Sequence, residues 1–495
     1  MEPITLSELA ASIGGGVEHL ADVSVGPDAC IDSRKVTEGA LFVALPGENV
    51  DGHAYVGAAL AAGAAAALVD HVPEGVDPGR CIVVDRGADG HGVRAAFGRV
   101  ARHVVDGFDG LQVVGITGSQ GKTSTKDLLA SILEDAAPTI APVGSQNNEI
   151  GVPLTACACS TDTRFLVAEM GARGIGHIAY LCDITPPSVA MVLNVGVAHV
   201  GEFGSRDAIA QAKGELVEAL DAQGWAVLNG MDPYTRDMAS RTRGKIAWFS
   251  GAGHPEVSAD LVVWADGIAS GELDRHRFTL VVERGDDVEH HPVELQVSGR
   301  HQVANATAAA AAAVALGVSS AAVAASLTAA TSRSRWRMEV TRRRDGLVVC
   351  NDAYNANPDS MMAACRSLAA IGRAERRDHP GSRTVAVLGD MLELGDASAA
   401  EHQAIGRAVA ALGIDVLIAV GEFGDDLVAG ARGSDGPEVE THRVDDAAEA
   451  SELAKRVTTG QDVVLVKASR SIALETVADA LLADEQLDDR PRSDT

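Results

Sequence analysis

This sequence predicts three α/β domains on three observations. The chain has 495 residues, more than one hydrophobic core usually organises, so several units are expected. Apolar stretches of strand length alternate with helical patterns near the start and again after residue 345, the signature of parallel sheets covered by helices. Between these regions the segment Gly115-Ile116-Thr117-Gly118-Ser119-Gln120-Gly121-Lys122-Thr123-Ser124-Thr125 joins an apolar strand to a helix.

Residues 1–108 read as a small α/β unit, with a helix near 6–13, a strand near 41–45 and a helix near 55–62. Its informative stretch is Ile31-Asp32-Ser33-Arg34, followed by Asp51-Gly52-His53. Taken alone, the Asp-Ser-Arg turn reads as a capped loop with a surface ion pair.

Residues 109–332 open on the strand 111–116 that feeds the glycine-rich loop. The next helix carries Leu128, Leu129, Ile132 and Leu133 on one face, so loop amides and helix N-terminus meet at one point. That point suits phosphate: small residues turn consecutive N–H groups onto an anion, Lys122 adds a positive charge, and the Thr123 hydroxyl is placed to ligate Mg²⁺. The strict pattern is incomplete, since its first glycine slot is Ile116. Asn147 and Asn148, in a polar turn ending at Pro153, offer donors and acceptors to a ligand. The buried stretch 165–168 ends in Glu169-Met170-Gly171, a carboxylate where the crevice of an open α/β sheet lies. A third strand, 189–195, ends near His199. Lys213 stands on an amphipathic helix and by itself reads as a surface lysine. Beyond Asp232 the chain reads as a meander, returning to helix at Ser298-Gly299-Arg300-His301-Gln302-Val303-Ala304-Asn305 and an alanine-rich run, 306–315.

Residues 333–485 begin with an arginine-rich linker or hinge at 333–337. Strands at 347–351, 384–388, 416–420 and 463–466 then alternate with helices near 360–370, 400–411 and 471–482, as in a doubly wound, Rossmann-like sheet. Residues 486–495 are charged and apolar-poor, the composition of a disordered tail.

A net charge of −28, from 41 basic and 69 acidic residues, argues against a nucleic-acid or anionic-membrane partner. Seven scattered cysteines with no Cys-x-x-Cys pair fit buried thiols in a reducing cytoplasm. The N-terminus lacks the basic and apolar segments of a signal peptide. The alanine run is too weakly apolar to span a membrane and reads as a close-packed helix. The expectation is a cytoplasmic monomer without membrane insertion.

With these segments in hand, the chain from Asp32 to Glu475 resembles the Mur ligase family, the ATP-dependent ligases that build the peptidoglycan stem peptide. The motifs occur in the family's order. The resemblance implies a UDP-substrate domain, a central P-loop ATPase domain and a C-terminal Rossmann-like domain. It assigns nucleotide binding to Thr117, Gly118, Ser119, Gln120, Gly121, Lys122, Thr123 and Ser124, with His301, Asn305, Arg335 and Asp352. Gln302 stands where the family usually has Asn. Glu169 falls at the metal carboxylate, His199 at a second metal histidine, and Lys213 at a lysine carbamylated by CO₂. Lys122, Glu169, His199 and Lys213 are the implied catalytic set, and Thr123, Glu169, His199 and carbamylated Lys213 the implied Mg²⁺ ligands.

Three stretches, Asn351 to Pro358, Leu388 to Gly395 and Val466 to Ser471, resemble the branch that joins D-alanyl-D-alanine to UDP-MurNAc-tripeptide with ATP through an acyl phosphate. Substrate contacts are implied for Ser33 and Arg34 at the UDP-sugar end, for Asn147 and Asn148, and for Tyr354, Asn355, Asn357, Lys467 and Arg470. On their own residues, Lys467 and Arg470 also fit a strand-end ion pair. One alternative is the sister ligase that adds a diamino acid to UDP-MurNAc-dipeptide, whose usual Asp-Asn-Pro-Arg motif is absent here. Another, of a different class, is a P-loop ATPase switch.

Overall fold

A computed structural model describes every residue except 18, 48–49, 89, 197–202, 435 and 484–495. The expected second metal ligand, His199, and the expected tail at 486–495 therefore lie outside the described residues.

The first sheet is parallel, with Ala29–Cys30, Leu41–Val43, Ala66–Val69 and Cys81–Val83 in chain order. Both faces are covered, as a continuous apolar run such as Leu41-Phe42-Val43 requires. Phe42 packs with Val56 and Ala59 of the helix Val56–Ala61. Leu41 and Val43 face the helix Gly92–Asp106, whose Val93, Ala96, Phe97, Val100 and Val104 recur at helical spacing. The same apolar cluster continues into Leu166, Met170 and Ile178, so this helix seats the first unit on the second.

The central sheet has nine strands. Gln112–Thr117 lies between Phe165–Glu169 and Val189–Val192, all parallel. The chain builds outward from it on both sides, which makes the carboxyl ends of these three strands a topological switch point. Trp225–Asn229 and Lys245–Ser250 extend the parallel run, and only from Leu261–Ser270 onward does it become an antiparallel meander with Arg275–Arg284 and Asp287–Ser298. The meander thus starts later than the sequence suggested. Ala247, Trp248 and Phe249 are all buried, so that strand has two covered faces and no polar alternation to mark it. In the alanine-rich helix His301–Ala315 every residue from Ala306 to Ala313 is buried, packed with Leu128, Leu129 and Ile132 of the helix Lys122–Ala136. Side chains of one carbon let the two backbones approach closely.

The C-terminal sheet has six strands in the order Glu339–Arg342, Val348–Asn351, Val463–Lys467, Thr384–Gly389, Val416–Val420, Glu440–Val444, parallel except for the first. The last strand is inserted beside the second, so Asn351, Gly389 and Lys467 end side by side. The arginine-rich stretch before it is irregular. Trp336 and Met338 take left-handed φ of 59° and 52°, and Arg333 pairs with Glu134 of the central helix at 2.8 Å.

All seven cysteines are free thiols, six buried and Cys30 half-buried. Burial pushes Cys157, Cys159 and Cys182 up to about 12, leaving them protonated and inert. No helix among the described residues is long and apolar enough to cross a membrane.

Candidate active site

Gly121 caps the helix Lys122–Ala136 at φ 83°, in the left-handed region. A Cβ there would sit 2.6 Å from Asn305 Oδ1, so glycine is required both by the turn and by the close approach of the alanine-rich helix. Asn305 is itself oriented: its amide N–H donates to Gln302 Oε1 at 2.9 Å. The residue that departs from the family's usual Asn therefore has a supporting task. Asn194, at the end of a neighbouring strand, braces the loop from the other side. Its Oδ1 accepts the Ser119 and Gln120 amides, both at 3.1 Å, and its amide N–H donates to the Gln120 carbonyl. Lys122 folds back to donate to the Gly118 carbonyl at 2.7 Å.

Glu169 is buried, and its carboxylate accepts from Thr123 Oγ1 (3.0 Å), Ser145 Oγ (2.8 Å) and Asn147 Nδ2 (2.9 Å). These donors are neutral, so they orient the carboxylate without cancelling its charge. Lys126 supports them from below: its buried ammonium donates to the carbonyls of Pro142 (2.6 Å) and Gly144 (3.1 Å) and pairs with Asp127, fixing the turn that presents Ser145. Lys213, 5% exposed, has no carboxylate partner for its ammonium among the described residues. Burial, and then the nearby charge of Lys122, pushes its pKa well below the ordinary lysine value. Lys122 is lowered too, by burial first, while Glu169 opposes the shift.

One cleft of about 400 Å³ gathers these groups. Ser119, Gln120, Gly121, Lys122, Thr123, Ser124, Asn147, Asn148, Glu169, Lys213, His301 and Asn305 line it from the central unit. Asp352, Tyr354, Asn355, Asn357 and Lys467 line it from the C-terminal sheet. Thr117 is buried beneath the loop. Across the junction, Arg337 donates to Thr123 Oγ1 at 3.2 Å and stacks on the Tyr354 ring at 4.1 Å. Among the described residues its Nε is buried without a hydrogen-bond partner, a donor at the cleft wall that an anionic ligand would satisfy.

Four sequence candidates lie apart from that cleft. Ser33 and Arg34 sit in a short turn of the first unit, where Asp32 caps the Arg34 amide and pairs with its guanidinium, holding the Asp32 carboxyl down at about 2. Arg335 is exposed, its guanidinium over Trp336. Arg470 lines a second, smaller cleft of about 320 Å³ with Asn355, Asn357, Glu393 and Ser469, pairs with Glu475 at 2.6 Å and stacks on Trp336. Sequence reasoning did not assign Arg337, Asn194 and Ser145, nor Arg173, His177 and Glu393, which also line the main cleft. Arg337 lay in the stretch read as a linker, Ser145 in the polar turn ending at Pro153 and Glu393 in the stretch Leu388 to Gly395; Asn194, Arg173 and His177 carried no signal at the level of pattern.

Lys467 is buried and bonds Asp352 Oδ2 (2.7 Å) and the Asn355 carbonyl (2.8 Å). Replacing it with Met strands a largely buried carboxylate. Lys467→Met is therefore expected to lower stability by roughly 3–5 kcal/mol, read as a fall in the urea midpoint of the full chain; an unchanged midpoint would contradict the pairing.

One further group of ligating side chains, His53, Asp70 and His71, brings its atoms within 4.8 Å of one another. It is poorly arranged for an ion. The two imidazoles are stacked, 4.4 Å apart and 13° from parallel, so their in-plane lone pairs cannot converge. His53 Nε2 already accepts the Asp70 amide and Nδ1 faces Asp51.

Three family models match this chain: "Mur ligase family, catalytic domain" over residues 29–101, "Mur ligase middle domain" over 116–313, and "Mur ligase, glutamate ligase domain" over 336–470. The chain belongs to the Mur ligase family, and is an ATP-dependent ligase of three α/β domains. Among its relatives is the UDP-N-acetylmuramoyl-tripeptide--D-alanyl-D-alanine ligase of Mycobacterium leprae, 41% identical over 98% of this chain and 99% of the relative. The Escherichia coli ligase of the same name is 35% identical over 97% and 99%. A crystal structure of MurF from Acinetobacter baumannii superposes with a TM-score of 0.82 at 32% identity, covering 97% of this chain and 99% of that one. MurF from Thermotoga maritima in complex with ADP gives 0.74 at 26% identity, over 93% and 98%.

Proposed function

We propose that this ligase joins D-alanyl-D-alanine to UDP-N-acetylmuramoyl-tripeptide at the expense of ATP, releasing ADP and phosphate. The observation that carries the reading is the single cleft in which the phosphate loop, Glu169 and Lys213 face Asp352, Tyr354 and Lys467 of the C-terminal sheet. It is supported by relatives of that activity aligned over nearly the whole chain.

Amide formation from a carboxylate and an amine is uphill in water, so the carboxylate must first become an electrophile. Its oxygen takes the γ-phosphoryl group as the β–γ bond breaks, giving an acyl phosphate and ADP. The incoming amine then attacks the acyl carbon, the bond to phosphate breaks and a proton is lost. The protein's task is to hold several anions in line and stabilise charge as it shifts. Lys122, at the helix N-terminus with its ammonium on the Gly118 carbonyl, is the positive charge nearest the phosphate loop, and Arg337 adds a second beside Thr123. Closure of the C-terminal unit over the cleft excludes water from the acyl phosphate, with residues 333–337 as the hinge.

Thr123 and Glu169 fit a Mg²⁺ ion, because they bring a hydroxyl and a carboxylate oxygen together at 3.0 Å and the hydrogen bonds that orient the carboxylate come from neutral donors. Lys213 fits the role of a further ligand once carbamylated. A neutral Nζ forms a C–N bond with CO₂ and sheds a proton, and burial favours that neutral form by lowering the pKa of this amine. His199 is assigned to a second ion on the family resemblance. When bound, Mg²⁺ neutralises charge on the transferring phosphoryl group. Ser33 and Arg34 are assigned to the UDP end of the substrate, where the exposed Arg34 guanidinium can reach a phosphate.

The test is phosphate release from ATP and Mg²⁺ with UDP-MurNAc-tripeptide, with and without D-alanyl-D-alanine, and the product weighed by mass spectrometry. Dipeptide-dependent release with a pentapeptide product is expected. Dependence on UDP-MurNAc-dipeptide and a diamino acid would move the assignment to the sister ligase, and release without any acceptor would point to an ATPase switch.

A further inference from the structure

One buried histidine that the proposed mechanism leaves unused is tied into the wall of both clefts. His402 is completely buried in the helix Ser398–Ala411. Its Nε2 accepts the Met391 amide N–H at 2.9 Å. That nitrogen is therefore unprotonated, and the Nδ1–H donates to the Ser398 carbonyl at 2.6 Å, one turn back. The ring stacks on Phe423, centroids 4.7 Å apart.

The bonds around this one hold adjacent points of the same loop. The Leu392 amide donates to Ser469 Oγ (2.9 Å) and the Ser469 amide to the Asp390 carbonyl (3.0 Å). The Asp390 carboxylate accepts the amides of Glu422 and Phe423, both at 2.9 Å. Three strand ends are thereby stitched together just before Glu393, which lines both clefts. Glu393 has φ 64°, a left-handed conformation that a non-glycine residue keeps only where its surroundings over-determine it. The second cleft is lined by Glu393 and by Arg470, whose guanidinium pairs with Glu475 and stacks on Trp336, and it stands apart from the phosphate loop; a carboxylate and a guanidinium in one cleft are the groups that suit a molecule bearing both an ammonium and a carboxylate.

We infer that His402 is a positioning residue for the incoming dipeptide: by accepting the Met391 amide it holds the loop 390–395 in the shape that presents Glu393 to the second cleft. The inference rests on the ligation reading above. Burial also keeps the ring neutral, so that Nε2 remains an acceptor.

The experiment compares full-length His402→Phe, His402→Asn and His402→Gln with wild type, measuring KM for D-alanyl-D-alanine, KM for ATP and the urea midpoint. Phe keeps the stack and loses the acceptor. Gln carries Oε1 to about the position of Nε2, whereas Asn is too short. Loss of the His402 acceptor of this buried amide should raise the dipeptide KM about tenfold in Phe and Asn. Gln should stay within about threefold, and the ATP KM should hold within about twofold throughout. If His402→Phe does not fold, the Gln and Asn pair decides on the same criterion. A lowered midpoint with both KM values unmoved, an equal rise in both, or Gln no better than Asn would overturn the inference. Wild type that makes no pentapeptide would instead overturn the ligation reading, and this inference with it.

Discussion

Lys213→Ala is expected to lower the ligation rate about 10³-fold or more while the ligand-free protein keeps or raises its unfolding midpoint. The two effects separate because the lysine opposes folding. Its pKa lies well below the ordinary value for burial reasons, so at neutral pH the folded state disfavours the charged form that the unfolded chain carries freely. That cost persists at any pH below the ordinary lysine pKa, and alanine removes it. A metal ligand beside the transferring phosphoryl group contributes several kcal/mol to the transition state, at about 1.4 kcal/mol per tenfold in rate. Added formate or acetate should restore part of the rate by supplying the missing carboxylate oxygen. Full activity in Lys213→Ala, or loss that neither anion relieves at all, would contradict the carbamate assignment.

Gly121→Ala is expected to weaken ADP and ATP binding about 100-fold, measured by calorimetry and by KM. At φ 83° an alanine carries a steric cost on the order of 1–2 kcal/mol, and its Cβ would lie 2.6 Å from Asn305 Oδ1. Either the Asn305 side chain must then shift away from the loop, or the loop must open and turn its amides off the phosphates. Either adjustment adds to the backbone cost, which together amounts to about two decades in affinity. Gly285→Ala, at a φ of 62° in a hairpin turn with no described atom within 4 Å of its Cβ, is the control for conformational strain alone. Equal nucleotide affinity in Gly121→Ala and wild type would show that the close approach has no part in binding.

The strand–loop–helix at 112–136, the two further parallel strands ending at Glu169 and Val192 and the Rossmann-like alternation after residue 347 were legible in the sequence. Each rests on local rules: apolar runs of strand length, helical spacing of leucines, and glycines where a turn must bring amides onto an anion. The ligand types were legible for the same reason, because Lys-Thr after a glycine loop and a carboxylate at a strand end carry their chemistry in their identity. Partners hundreds of residues apart were not. Arg337 looked like part of a linker, yet it reaches Thr123, 214 residues earlier, while Arg335 turns to solvent; a two-residue step along an irregular segment reverses the side chain, and only the two left-handed residues beside it decide which way. Lys213 read as a surface lysine because one helix face looks like another until a sheet covers it. His402 left no pattern, since a histidine becomes a loop support only when an amide from a different strand end arrives at its Nε2. What the sequence by itself determined was therefore the local elements and the chemical kinds of the ligands. The tertiary structure alone decided which of those groups share one cleft and which are buried enough to change their protonation, because distance through space and exclusion of water are properties of packing and not of order along the chain.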